Sequence, residues 1–334
     1  MNGVATSYNH ARDRPGQPSG FYESFFLRAN HPAEPVAFWI RYTVFQPEGH
    51  PDQAIGELWA IAFDGRSGRH VAVKQELPIG QCAFAADRFE ARIGAAQLAP
   101  GHAVGMAESA GHQLRWDLRF GGAEKPVFLL PPDKYAASFP RAKSLVALPN
   151  ARFDGVLEID GVRLPVAGWA GSQNHNWGSR HTDRYAWGQV CGFDNAPESF
   201  LEVASAKLRI GPLWTPMFTP LVLRHAGREH TLNSIGQSVL RARGRFELGR
   251  WDFASENAEV RIEGGIAAPR SAFVGLRYYN PPGGVKHCLN SKLALCSLTI
   301  TDKRSGAVEK LESANRAAFE ILTDDTAHGV ALAA

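Results

Sequence analysis

Apolar and polar residues alternate at every second position in short segments along most of this chain, and a turn signal closes each segment. FYESFFLR (21–28) sets Phe21, Glu23, Phe25 and Leu27 on one side, and VAFWIRYTVFQ (36–46) is aromatic and β-branched. ELWAIAFD (57–64) and HVAVKQEL (70–77) flank the turn DGRSGR, and QLRWDLRF (113–120) repeats the alternation. A period of two belongs to extended chain, because successive side chains of a strand point to opposite faces. Strands at this short, regular spacing predict an all-β sandwich or barrel rather than βαβ units. A second series follows: GVLEIDGVRLPVAG (155–168), DRYAWGQVCGF (183–193), SFLEVASAKLRI (199–210), LVLRHAGREHTL (221–232), GRFELGRWDFAS (244–255), AEVRIEGGI (258–266), SAFVGLRYY (271–279) and LNSKLALCSLTITD (289–302). Only LESANRAAFEILTDD (311–325) has helical spacing, with Leu311, Ala314, Ala318 and Leu322 along one side, and it predicts a short C-terminal helix.

Between the two series, residues 131–150 (PPDKYAASFPRAKSLVALPN) carry four prolines and read as a linker. Residues 1–19 are polar and read as a flexible arm. The expected organisation is an arm (1–19), an N-terminal barrel with its linker (20–150) and a C-terminal barrel (151–334). Trp116-Asp117 and Trp251-Asp252 place the same dipeptide in a strand of each half, a hint of duplication. Antiparallel sheets of many short strands remove their edges by closing, and small closed barrels can enclose an apolar ligand site.

Charge and cysteine content narrow the function classes. The chain of 334 residues carries 36 Lys and Arg against 33 Asp and Glu, a net +3. Its densest basic stretch, Arg241, Arg243, Arg245 and Arg250, alternates with apolar residues and glycine and reads as one strand face, so nucleic acid is not the expected partner. The four cysteines, Cys82, Cys191, Cys288 and Cys296, form no CxxC pair, and no metal site is expected. No apolar run approaches the ~18 residues of a membrane span, and the first residues lack a signal-type apolar segment. The expectation is a cytoplasmic protein with free thiols and no integral membrane segment, with transient membrane-surface contact left open. There is no phosphate loop and no dinucleotide fingerprint, so no cofactor is expected.

Chemistry concentrates in SQNHNWGSRHTDRYAWGQ (172–189). Asn174, Asn176 and Gly178 favour a turn that presents His175 and Trp177. In the strand that follows, Tyr185, Trp187, Gln189, Cys191 and Phe193 share a face. That face fits either a cavity wall for a large apolar ligand or an aromatic core stripe. His175, His181 and Asp183 fall within nine residues of one another, which favours a titrating role for one of them, but they match no standard metal spacing. Glu202, between Phe200 and Ala204, and Glu23, between Phe21 and Phe25, lie on apolar faces. A buried carboxyl there either keeps its proton or pairs with a buried arginine such as Arg41 or Arg28.

GFYESFFLRANHPAEPVAFWIRYTVF near the start and NHNWGSRHTDRYAWGQ in the middle resemble the signature regions of the tocopherol cyclase, carotenoid 1,2-hydratase and AttH-like superfamily. Asn176-Trp177-Gly178 and Tyr185-x-Trp187-x-Gln189 are the specific parts. At Asn174 the chain departs from the pattern, since many relatives carry an acid there. The resemblance implies two consecutive lipocalin-like antiparallel barrels and a hydrophobic small-molecule substrate bound in or between them.

The expected function is cofactor-independent, acid-assisted hydration or cyclisation of an isoprenoid- or polyene-like substrate. His175, Glu202 and Glu23 are the expected catalytic residues. Trp177, Tyr185, Trp187, Gln189, Phe200, Trp116 and Arg41 are the expected substrate contacts, with aromatic faces steadying a substrate cation. A non-catalytic carrier and a shape-only pericyclase are the alternatives.

Overall fold

The computed structural model describes residues 7–12 and 18–333; residues 1–6 and 13–17 of the expected arm lie outside them. Two large antiparallel sheets, each nearly closed into a barrel, account for almost all of the chain. The first begins at strand Arg69–Pro78 and passes through Ile55–Asp64, Val36–Gln46, Phe21–Asn30, Val162–Gly178, Ala142–Ile159, His112–Gly121 and His102–Ser109 to three short strands between 82 and 99. Ser109 Oγ accepts from the Lys74 amide at 3.0 Å and draws the two ends of the curl together. The second sheet runs Arg228–Leu232, Leu221–His225, Phe200–Lys207, Arg184–Cys191, Val308–Thr323, Val285–Asp302, Val260–Ala267, Arg250–Glu256 and Ala242–Glu247.

Four features differ from the sequence expectation. Ala142–Ile159 is a long strand paired with both Val162–Gly178 and His112–Gly121, so 131–150 is not a free linker. The chain crosses between sheets after Gly178, not near 150. Pro149 is accommodated where the ladder slips between Leu148 and Ala151, the kind of irregularity that tolerates a missing N–H. Residues 311–325 form no helix: Val308–Thr323 is a strand at the middle of the second sheet. Nor is the described part of the N-terminal arm loose. Ser7–Asn9 is a turn of 3₁₀ helix, and Asn9 Nδ2 donates to Gln173 Oε1 at 2.8 Å.

The duplicated Trp-Asp dipeptides occupy matching places. Trp116 and Trp251 each point into the core of their own barrel, and each indole N–H reaches a hydroxyl across it. The partners are Tyr42 Oη and Ser205 Oγ, both at 3.1 Å. Asp117 and Asp252 point outward and pair with His102 and Arg250, both at 2.9 Å.

Phe21–Asn30, Val36–Gln46 and Ile55–Asp64 are buried along nearly their whole length. Their inner faces, with Phe25, Leu27, Phe38, Ile40, Tyr42 and Leu58, fill the first barrel. Their outer faces, with Phe26, Trp39, Trp59 and Ile61, pack on Trp187, Leu276, Tyr278 and Leu322 of the second barrel. Strands covered on both faces read as near-continuous apolar runs, as these do. Close backbone approach is needed where Phe21–Asn30 meets Val162–Gly178: a Cβ on Gly171 would stand 1.9 Å from the Arg28 carbonyl oxygen. Gly171→Ala is therefore expected to cost roughly 2–4 kcal/mol, from overpacking against backbone that cannot yield. Thermal melting checks this, and an unchanged Tm would contradict it.

Candidate functional site

The packed outer faces leave a cavity of about 370 Å³ lined by both barrels. That volume falls within the roughly 300–1,000 Å³ usual for small-molecule sites. Tyr22, Phe26 and Trp39 come from the first barrel, and Tyr185, Trp187 and Tyr278 from the second. Period-two geometry puts them together: Tyr22 and Phe26 share the outer face of Phe21–Asn30, and Tyr185 and Trp187 share the facing side of Arg184–Cys191.

Charges stand within this apolar wall. Arg41 is 5% exposed, donates from Nη2 to Ser24 Oγ at 2.6 Å and lies 4.4 Å from the centre of the Tyr278 ring. Its Nε has no partner. Glu57, whose charge also acts on Arg41, is bridged to Lys74 at 2.6 Å. Glu320 also lines the cavity, its charge acts on Arg41, and it accepts from Lys292 Nζ at 2.7 Å. Lys292 is fully buried behind it, donates also to Asn290 Oδ1, and sits 5.3 Å from the Trp187 ring. Burial lowers the Lys292 pKa, opposed by the Glu320 charge. His181 stacks on Tyr22 with ring centres 4.0 Å apart, and burial, helped by Arg41, brings its pKa down to about 3, so the imidazole is neutral. Asn176 Oδ1, also in the wall, has no partner.

Behind Trp187 lies a closed polar network. The Trp187 indole donates to Glu202 Oε1 at 2.7 Å, and Gln189 Nε2 donates to Glu202 Oε2 at 2.9 Å and to Asn174 Oδ1 at 2.8 Å. Asn174 Nδ2 donates to Ser172 Oγ at 2.8 Å, which donates to Gln189 Oε1 at 2.7 Å. Arg28 adds a bond from Nη1 to the same Oε1 at 3.2 Å. The Ser172, Asn174, Gln189 and Trp187 side chains each find a partner here, as buried polar groups must. Burial raises the Glu202 pKa to about 8, against the lowering effect of its Trp187 and Gln189 hydrogen bonds, so the carboxyl keeps its proton at neutral pH.

Of the residues singled out in the sequence, Arg41, Tyr185 and Trp187 line the cavity. Glu202 and Gln189 sit directly behind Trp187, outside the lining. Glu23, His175 and Trp177 lie on the opposite face of the same two strands, inside the mouth of the first barrel. There is no turn at 174–178; the segment is strand, which sends odd and even positions to different sites. His175 Nε2 meets Glu23 Oε1 at 2.6 Å, and Nδ1 faces the Tyr8 carbonyl at 3.2 Å. The Arg12 amide donates to both Glu23 oxygens, at 2.9 and 2.8 Å, and the Arg12 guanidinium covers the Trp177 ring at 3.8 Å. This cluster fastens residues 8–12 across the barrel. Phe200 packs with Val127, Val146 and Val222 away from the cavity, and Trp116 belongs to the first core.

Sequence reasoning missed Glu320, Lys292 and Tyr278. Glu320 was hidden by the helical reading of 311–325, whereas a period of two puts it beside Ala318 and Leu322 on one face. Among the described residues no three His, Cys, Asp or Glu side chains gather as a metal site, and no helix is long and apolar enough to cross a membrane.

No family model and no curated protein sequence matches the chain. Solved structures do. An AttH-like protein from Nitrosomonas europaea superposes with a TM-score of 0.58 at 10% identity, over 97% of this chain and 98% of that one. Kievitone hydratase from Nectria haematococca gives 0.60 at 9%, over 97% and 93%. CghA in complex with Sch210972 gives 0.52 at 11%, over 92% and 89%. The two-barrel architecture is shared with these structures, and at these identities the likeness is one of fold.

The buried carboxyl yields a pH test. Glu202 has a folded pKa of about 8, above its ordinary value near 4.5, so its contribution to stability is complete below pH 4.5 and is lost as pH rises through 8. His181 acts in the opposite sense, losing stability only as pH falls below about 6.5. Between pH 6.5 and 8 the wild type is therefore expected to lose up to ~1.4 kcal/mol per pH unit relative to Glu202→Gln. Denaturant titrations of both proteins measure the difference; parallel profiles would rule out a protonated Glu202.

Proposed function

We propose that this chain is a cofactor-independent enzyme that hydrates or cyclises an apolar, unsaturated small molecule held between its two barrels. The carrying observation is the aromatic cavity whose lining holds a buried arginine and the glutamate of a buried lysine–glutamate pair. Kievitone hydratase, named for a hydration, and CghA, solved with Sch210972, share the fold and lend support. The four cysteines are all free, which suits a reducing compartment such as the cytoplasm.

The charge layout favours one electronic course. The faces of Trp187 and Tyr278 already carry Lys292 and Arg41, and Trp177 carries Arg12, so these rings are engaged by the protein's own cations. An incoming polyene or isoprenoid therefore meets positive charge rather than vacant π faces. That environment stabilises negative charge growing on a substrate oxygen, as when an alkene conjugated to a carbonyl is attacked. Arg41, with donors to spare, is the group to hold that oxygen.

Glu320 is the proton carrier in this reading. Burial disfavours the Lys292 charge, and its 2.7 Å bond to Oε1 gives a proton a direct path from Nζ through the Glu320 carboxyl to the cavity. Delivery to carbon leaves a carboxylate and a neutral amine. In hydration, water adds at the other carbon and its surplus proton returns to this pair. In cyclisation, a hydroxyl of the substrate itself takes the place of water, forms the ring bond and returns its proton to this pair. Glu202 acts at one remove, by fixing Trp187.

The test is incubation of the protein with conjugated polyenones, followed by mass spectrometry. A product of unchanged mass, or heavier by one water, is expected. Glu320→Gln should lower turnover by roughly 10²–10⁴-fold while the ligand still binds. Arg41→Met should lose ~10²-fold or more. If the protein binds these compounds but never converts them, it is a carrier. If Glu320→Gln turns over like the wild type, the assigned acid is wrong.

A further inference from the structure

Among the described residues ten large apolar side chains are exposed, and six of them belong to three segments that converge on the cavity mouth. Phe139 lies in 133–143, which also sends Pro140 and Lys143 to the lining. Ile210, Leu213 and Trp214 lie in 207–216, flanked by the lining residues Leu208 and Thr215. Ile235 and Leu240 lie in 235–243, whose Val239 also lines the cavity. The middle segment is a two-stranded ribbon, Arg209–Ile210 with Leu213–Trp214, paired to neither barrel sheet. Its tip, Gly-Pro-Leu-Trp, is exposed throughout, and Leu213 is 72% exposed.

The same three segments are strongly basic. They hold seven Lys and Arg and one acid, Asp133, which is salt-bridged to Lys134 at 2.6 Å, in a chain whose totals are 36 and 33. Arg141, Arg209, Arg241 and Arg243 are exposed. The charge looks scattered along the sequence because three distant segments supply it, and each of those segments sends residues to the cavity lining. Protruding apolar side chains, an interfacial tryptophan and a surround of arginines form the pattern by which peripheral proteins rest on anionic bilayers. An apolar surface of this kind on a soluble chain marks a binding face.

We infer that the cavity mouth docks on an anionic lipid surface, with the 209–214 ribbon and the end of helix Ile235–Leu240 entering the headgroup layer. The cavity then opens toward the phase in which an apolar substrate dissolves. The occupant is a bilayer rather than a second copy of the chain, because two such faces would bring like-charged, exposed arginines together with no acid on the segments free to pair them. The inference stands apart from the reaction chemistry and survives if the protein is only a carrier.

The test is co-sedimentation of the full chain with vesicles of phosphatidylcholine containing phosphatidylglycerol, against vesicles of phosphatidylcholine alone. Binding is expected to the first, and raised salt should weaken it. The double variant Leu213→Glu, Trp214→Glu should reduce the vesicle-bound fraction by ~10-fold or more with its melting temperature unchanged. Arg209→Glu should weaken binding to the anionic vesicles. A wild type that stays in solution with anionic vesicles overturns the inference, as does a double variant that binds like the wild type. So does a wild-type dimer that the double variant dissociates, which would make the patch an interface between copies.

Discussion

Two-sided burial of Phe21–Asn30 and its partner Val162–Gly178 governs the rest of the structure. A strand between two cores must send alternate side chains into different surroundings. Glu23, His175 and Trp177 go inward, where they tie the N-terminal segment across the first barrel. Tyr22, Phe26, Asn174 and Asn176 go outward, where they meet the second barrel. The chemistry concentrated in 172–189 is therefore two sites laid on one strand pair, separated by the thickness of a sheet.

The outward side holds an unusual amount of buried polarity. Arg28, Lys292, Glu202, Gln189 and Asn174 are all 1% exposed or less. Isolated, such groups would cost several kcal/mol each, so they persist only as a satisfied network. The Ser172–Asn174–Gln189 ring meets that demand and locks both amides. It holds Glu202 and hence the Trp187 indole. Asn174, which departs from the resembling family by lacking a carboxylate, accepts the Gln189 amide hydrogen that an acid at that place could also take. In the proposed reaction the acid is instead the Glu320–Lys292 pair.

Much of the fold was legible because period-two alternation survives wherever one face of a strand is wet, as in His112–Gly121. It failed where both faces are dry. In AAFEIL (317–322) Ala317, Phe319 and Ile321 fill the second barrel while Ala318 and Leu322 face the first. The resulting apolar run, with a register slip nearby, matches helical spacing by accident. The prolines of 131–150 misled in the same local way, since Pro149 sits at a bulge. The aromatic-x-Trp-x-Gln strand was found because its face is bulky and amphipathic. Which side of the sheet His175 would take was not legible: it depends on a pairing with Phe25 that a single sequence does not encode.

The central claim is that the ligand lies between the barrels rather than inside the first. A crystal structure of the protein with a bound polyenone tests it most directly. The account predicts ligand density against Trp187 and Tyr278, with a ligand oxygen within hydrogen-bonding distance of Arg41. Density inside the first barrel, displacing Tyr8 and Arg12 to reach His175 and Glu23, would contradict it.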